Sequence, residues 1–251
     1  MSTPARLPIS RPSLTLLGTE PWRAAMEFLS YKFTDLVKKS PLQAGDGHPV
    51  IIFPGLATDG SGVAPLRDYC ESLGYRAINW GQGYNTGPKG ELQQWLAELA
   101  GHTASLLHPC EQPATLIGWS LGGIYAREMA KLMAPQQVRQ VITIGTPFNA
   151  EADHTNVGWL FHLLSGTPAV IAPELSMRLR TPPRVPTTSI YSRSDGVVAW
   201  ETCCHTGSFK QVQDIEIHGS HIGMAWNPTV FQIVTDRLGQ QPGNWQPYLR
   251  A

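Results

Sequence analysis

Charged residues are scarce in this chain and evenly matched, with 19 Lys plus Arg against 19 Asp plus Glu in 251 residues and a formal net charge of +0. With no excess of positive charge to hold a phosphate backbone or an acidic bilayer, nucleic acid is not an expected partner. Cysteine is as sparse. Cys70, Cys110, Cys203 and Cys204 include no C-x-x-C pair, and adjacent cysteines are poorly placed to bridge each other, so free thiols are expected rather than a zinc site or a disulfide framework. No H-E-x-x-H segment or carboxylate cluster marks a catalytic metal, and neither metal nor cofactor is expected. No window is apolar for long enough to cross a bilayer, and Met1 to Pro12 lacks the apolar stretch of a secretory leader, which points to the cytoplasm. Internal repeats and low-complexity tracts are absent. The length suits one sizeable α/β core: a single domain over 1–251, with an N-terminal extension over 1–45 and an inserted cap over about 147–186.

What the chain does have is alternation. Pro49–Phe53 is a short apolar run suited to a buried strand, and Tyr75–Trp80, Ala114–Trp119, Val138–Ile144, Thr187–Tyr191 and Val212–Ile217 read as further strands. Between them Ala64–Leu73, Leu92–Leu107 and Ile124–Met133 read as helices, and Pro228–Leu238 as a closing helix after the last strand. Strands separated by helices require crossover connections, and hence a mostly parallel central sheet with helices on both faces. Residues 1–18, rich in Pro and Ser, read as an extended lead-in. A helix is then expected from Thr19, with Thr19 as its cap and Pro21 in its first turn. Trp22, Met26, Leu29, Phe33 and Leu36 recur at helical spacing, a stripe expected to pack on the main core rather than on a second copy or a membrane. From Thr146 to Pro186 the alternation lapses. That segment carries the apolar run Val157-Gly-Trp-Leu-Phe-His-Leu-Leu164 and reads as a cap over one end of the sheet.

Chemistry concentrates where strands end. Gly118-Trp-Ser-Leu-Gly122 is a G-x-S-x-G motif between a predicted strand and a predicted helix. A serine there sits on a sharp turn that lifts its hydroxyl clear of the sheet. Ser120 is therefore the candidate nucleophile, and a hydroxyl at neutral pH needs a base and a group that orients the base. In a parallel sheet those partners belong on loops beyond the carboxyl ends of strands. Asp195, after the strand ending at Tyr191, and His221, after the strand ending at Ile217, meet that condition. His218 is the rival base and Asp153 the rival acid; Asp214, within the last strand, is expected to face solvent. Oxyanion donors are expected from the N–H of Leu121 and, in the Phe53-Pro-Gly55-Leu56-Ala57 loop, of Leu56, although that loop also reads as a plain turn. Gly81-Gln-Gly83-Tyr-Asn-Thr-Gly87 lacks the glycine a dinucleotide fingerprint requires at Thr86 and reads as a loop near the site.

These residues resemble the α/β-hydrolase superfamily and, within it, bacterial lipases and esterases, through motifs spread from about Val50 to Trp226. Gly118–Gly122 looks like the nucleophile elbow, Ser194-Asp-Gly-Val-Val198 like the acid loop, Gly219-Ser-His221 like the base loop, and Ile144-Gly-Thr-Pro-Phe148 like the Gly-Thr-Pro segment after a central strand. The family commonly has His-Gly before its oxyanion residue, where this chain has Pro54-Gly55; the departure bears on how that loop is braced. The resemblance implies hydrolysis of a small carboxylic ester through an acyl-enzyme, and the apolar residues of the cap, Trp159, Leu160, Phe161, Leu163 and Leu164, favour an apolar acyl group. Trp119, Trp159, Phe161 and Trp226 are the candidate substrate contacts, the cap aromatics also being readable as the buried face of a cap helix. An acyltransferase or thioesterase using the same three residues is the alternative, and a non-enzymatic binding protein a third reading.

Overall fold

The computed structural model describes residues 9–33, 45–149 and 173–249. Among them six strands form one parallel sheet: β1 (Pro49–Phe53), β2 (Arg76–Asn79), β3 (Ala114–Trp119), β4 (Val138–Ile144), β5 (Thr187–Ser192) and β6 (Val212–Ile217), in the order β2-β1-β3-β4-β5-β6. Alternate residues of a strand point to opposite faces, and the packing follows that rule. Ile51 and Phe53 of β1, with Leu116 and Val141, pack with α3 (Leu92–Leu107) and α4 (Leu121–Leu132). Val50 and Ile52, with Ile117, Ile142 and Ile215, pack with α2 (Ala64–Ser72) and the closing helix Pro228–Gly239. β1 and β3, buried at every position, are mostly apolar rather than alternating because both faces are covered, whereas the edge strands β2 and β6 are only partly buried.

The strand order places the site. The chain leaves β1 toward β2 and then returns to β3 on the other side of β1, so a crevice opens where the connections from β1 and β3 diverge. Phe53 is paired with Gly118. The Pro54–Ala57 loop and the turn at Ser120 therefore leave the sheet side by side.

Close approach, more than turn flexibility, explains the glycines of that turn. A Cβ on Gly122 would lie 2.2 Å from the Phe53 carbonyl oxygen, and one on Gly118 would lie 2.3 Å from the Gly122 carbonyl oxygen. α4 thus begins in contact with β1 backbone, which has little freedom to yield. Gly122→Ala is expected to destabilise the fold by about 3 kcal/mol, the upper part of the overpacking range, read from chemical denaturation.

The N-terminal helix departs from its expected boundaries and orientation. α1 spans Leu14–Phe33, starting five residues before Thr19. Ser13 Oγ accepts the Leu16 N–H, whereas the Thr19 hydroxyl donates back to the carbonyls of Thr15 and Leu16. Pro21 consequently lies inside the helix. The predicted apolar stripe faces outward: Trp22 is 70% exposed and Phe33 85%, with Met26 and Leu29 also exposed. Turned inward are Glu20 and Ala24, with Glu27, Phe28 and Tyr31 partly buried. The surface that receives α1 is rich in backbone N–H donors, as described below, so carboxylates satisfy it where apolar side chains cannot. Leu36 lies outside the described residues.

Of the expected cap, Pro147 to Asn149 and the stretch from Pro173 onward are described, the latter beginning with α5 (Pro173–Arg180). α5 is fastened to α4. Arg127 donates to the carbonyls of Leu179, Arg180 and Thr181, and Arg178 donates to Glu128 Oε2. No described helix is long and apolar enough to cross a membrane.

Candidate active site

Ser120 stands between β3 and α4 with φ +54° and ψ −124°, a left-handed conformation that costs a non-glycine residue on the order of 1–3 kcal/mol. Neighbouring bonds hold it there. Its N–H donates to the Ile144 carbonyl at 2.8 Å, and its carbonyl accepts from the Gly123 N–H and from the Thr146 hydroxyl, both at 3.0 Å. The Gly-Thr-Pro segment after β4 is thereby tied to the serine turn. Glycine is required at position 145 as well. With φ +55°, a Cβ there would sit 3.2 Å from His221 Nδ1.

His221 reaches across the end of β4 from the loop after β6. Its Nε2 lies 3.0 Å from Ser120 Oγ, and its Nδ1 lies 2.7 Å from Asp195 Oδ2. Asp195 is held in turn. Its Oδ1 accepts the N–H groups of Val197 at 2.8 Å and Val198 at 2.7 Å, leaving Oδ2 for the imidazole. All three side chains are buried, with Ser120 8%, Asp195 4% and His221 5% exposed. Burial alone would lower the pKa of His221; the Asp195 carboxylate, by charge and by hydrogen bond, and then the charge of Glu20 reverse this and raise it above the ordinary histidine value. The three residues predicted from strand ends are therefore brought into one hydrogen-bonded line.

The rivals have other surroundings. His218 is exposed, and its carbonyl accepts from Asn227 Nδ2. Asp214, expected to face solvent, is only partly exposed; it accepts from the His205 N–H at 2.7 Å and lies 2.6 Å from His205 Nδ1. The reason is the Trp200–Cys203 turn, which brings His205 back over β6 and gives the carboxylate two partners. Asp153, Trp159 and Phe161 lie outside the described residues.

Leu121 opens α4, where the first N–H groups of a helix have no acceptor within it. The loop carrying Leu56 runs close by: a Cβ on Gly55 would lie 3.0 Å from the Trp119 ring and 3.3 Å from Ser120 Cβ. What braces this loop is Asn85. Its side-chain N–H donates to the Pro54 carbonyl at 2.8 Å, its backbone carbonyl accepts the Ala57 N–H at 2.9 Å, and Tyr125 donates to its Oδ1 at 3.2 Å. Asn85 sits in the glycine-rich 81–87 loop, a placement that strand order reveals and motif matching does not.

Of the tryptophans, Trp119 donates its indole N–H to the His221 carbonyl at 3.1 Å and sets its ring 5.8 Å from the imidazole. Trp226 donates to the Ala24 carbonyl and meets Phe28 edge-on at 5.4 Å. Its described contacts are thus with α1 and with the core on the α2 side of the sheet. Among the described residues no group of three His, Cys, Asp or Glu side chains is arranged to hold a metal ion.

No family model matches the chain, and no curated protein matches it by sequence. By structure it is similar to Aspergillus fumigatus lipase B, at 17% identity and TM-score 0.61 over 82% of this chain and 56% of that one. It is also similar to a monoacylglycerol lipase of Paleococcus ferrophilus (11% identity, TM-score 0.56, 78% and 96% covered). A third likeness is to the thioesterase domain from the curacin biosynthetic pathway (14% identity, TM-score 0.51, 78% and 92% covered). The chain spans little more than half of the Aspergillus lipase. At these identities the likeness establishes the fold: this chain has the α/β-hydrolase fold.

Proposed function

We propose that this protein is a serine hydrolase of carboxylic esters with apolar acyl groups. The observation that carries the reading is the Asp195–His221–Ser120 line, with contacts of 2.7 and 3.0 Å, on a turn that presents the serine at positive φ. In this reading Ser120 Oγ attacks the ester carbonyl while His221 Nε2 takes the hydroxyl proton. Asp195 fixes the tautomer and stabilises the imidazolium. The oxyanion is held by the N–H groups of Leu56 and Leu121, and His221 returns its proton to the departing alcohol. Water, activated by the same imidazole, then frees the acid.

The apolar preference draws on the 157–164 run with Trp159 and Phe161, and on neighbours described as lipases and as a pyrethroid hydrolase from Sphingobium faniae JZ-2. Trp119 contributes through the base loop it supports.

The test is a panel of p-nitrophenyl esters of graded acyl length, followed across pH, with and without added alcohol. kcat/KM is expected to rise with acyl length, and the free acid to remain the main product when alcohol is present. An ester of the alcohol as main product would move the assignment to acyl transfer. The base must be neutral, and its pKa is raised, so the acid limb of kcat/KM is expected above the ordinary histidine value of about 6.5. Stability runs the other way. A raised pKa contributes stability that is complete below the unfolded value and is lost as pH rises through the folded one, so activity increases over the same window in which this contribution fades.

A further inference from the structure

We propose that Glu20, on the N-terminal helix, is a positioning residue that fixes the acid loop and the base loop to each other. The inference rests on the serine hydrolase reading and extends it to an element outside the sheet. Glu20 is 2% exposed and lies 175 positions before Asp195 and 201 before His221. Its Oε1 accepts the Gly196 N–H at 2.7 Å and the His221 N–H at 3.0 Å, and its Oε2 accepts the Ile222 N–H at 3.3 Å. One carboxylate thus bonds the residue after Asp195 and His221 itself, so the two loops cannot shift apart without breaking charge-assisted bonds. Arg23 completes the link, donating to Glu20 Oε1 at 2.7 Å and to the Ser194 carbonyl at 2.7 Å.

A second carboxylate on the same face repeats the arrangement. Glu27 accepts the Ser220 N–H and the Ser220 hydroxyl, both at 2.8 Å. Both loops are shaped to receive the helix: a Cβ on Gly196 would lie 2.5 Å from the Leu16 backbone, and one on Gly223 would overlap the Glu27 carboxylate. Four backbone N–H groups from two loops thus converge on two carboxylates of α1. Without them these donors would be buried with nothing to accept, and the imidazole would lose its fixed approach to Ser120.

The charged groups around the imidazole, among the described residues, are Asp195 from the loop after β5 and Glu20 from α1, with Arg23 bound to Glu20 and Glu27 bound to Ser220. Glu20→Gln keeps an acceptor for the His221 N–H while removing the charge; Glu20→Ala removes both. The experiment compares the two variants with the parent by NMR titration of the His221 ring, by kcat and KM on the best ester, and by phosphonate labelling of Ser120. In Glu20→Gln the His221 titration is expected to fall, because the charge of Glu20 helps to raise it. kcat is expected to fall roughly 10-fold in Glu20→Gln and roughly 100-fold in Glu20→Ala, with KM within about twofold of the parent, as for a misplaced rather than a missing base.

A folded Glu20→Gln with the parent's His221 titration and kcat overturns the proposal. So does loss of activity only in step with loss of thermal stability, the titration unmoved, because Glu20 then merely anchors a helix. Failure of the underlying reading is distinct: the parent neither turns over esters nor labels at Ser120, while the His221 titration still moves in Glu20→Gln, which supports the positioning by Glu20 on its own.

Discussion

Ser120→Ala is expected to lower kcat by roughly 10⁵-fold, with the melting temperature within a few degrees of the parent. In the proposed mechanism the effect on rate is large because, among the described residues, Ser120 is the hydroxyl paired with His221 Nε2; what would remain is binding and the proposed oxyanion donors acting on water. The effect on folding is small because the backbone does the holding. The Ser120 N–H and carbonyl are bonded to Ile144, Gly123 and Thr146, whereas the only bond the hydroxyl makes among the described residues is to His221 Nε2. Steady-state kinetics with calorimetry on one preparation read both quantities. Turnover near the parent level in a folded variant would show that the serine is not the nucleophile.

Asp195→Asn is expected to cost roughly 10⁴-fold in kcat with KM little changed. Asparagine can keep its oxygen on the N–H groups of Val197 and Val198. Its NH₂ then faces His221 Nδ1, which must become the acceptor. That tautomer carries its proton on Nε2, pointed at Ser120, and cannot take the hydroxyl proton. Since the loop bonds survive, the loss is assigned to the tautomer rather than to a collapsed loop. Circular dichroism matching the parent, together with a much reduced kcat, is the expected pair of results; a loss under tenfold would mean that Asp195 is not the orienting acid.

How much of this was legible in the sequence depends on where the deciding information lies. β1, β3, β4 and β6 fall at their predicted limits; for β1 and β3 the reason is that a strand buried on both faces is written as a short, mostly apolar run. The convergence of Ser120, Asp195 and His221 was readable because each follows a strand, and the parallel sheet brings those loop ends together. The face of α1 was not readable. Trp22, Met26, Leu29 and Phe33 form the more apolar stripe, yet the docking surface offers the N–H groups of Gly196, Ser220, His221 and Ile222. A hydrophobic pattern records what a helix presents, not what its receptor demands. Glu20 and Glu27, seven residues apart on one face around Ala24, were the signal that reading passed over. Asn85 was hidden for a related reason: its partners, Pro54, Ala57 and Tyr125, belong to three other segments. The pairing of Asp214 with His205 likewise depends on a turn whose path no local pattern encodes.

The central claim is that Ser120 is a nucleophile made reactive by His221, and covalent capture tests it without knowledge of the natural substrate. The folded parent, Ser120→Ala and His221→Ala are each treated with a fluorophosphonate, and the modified peptide is located by mass spectrometry. The account predicts a single adduct at Ser120 in the parent, none in Ser120→Ala, and labelling slowed roughly 10³-fold or more in His221→Ala. An unmodified Ser120 in the folded parent, or labelling at the parent's rate in His221→Ala, would contradict it.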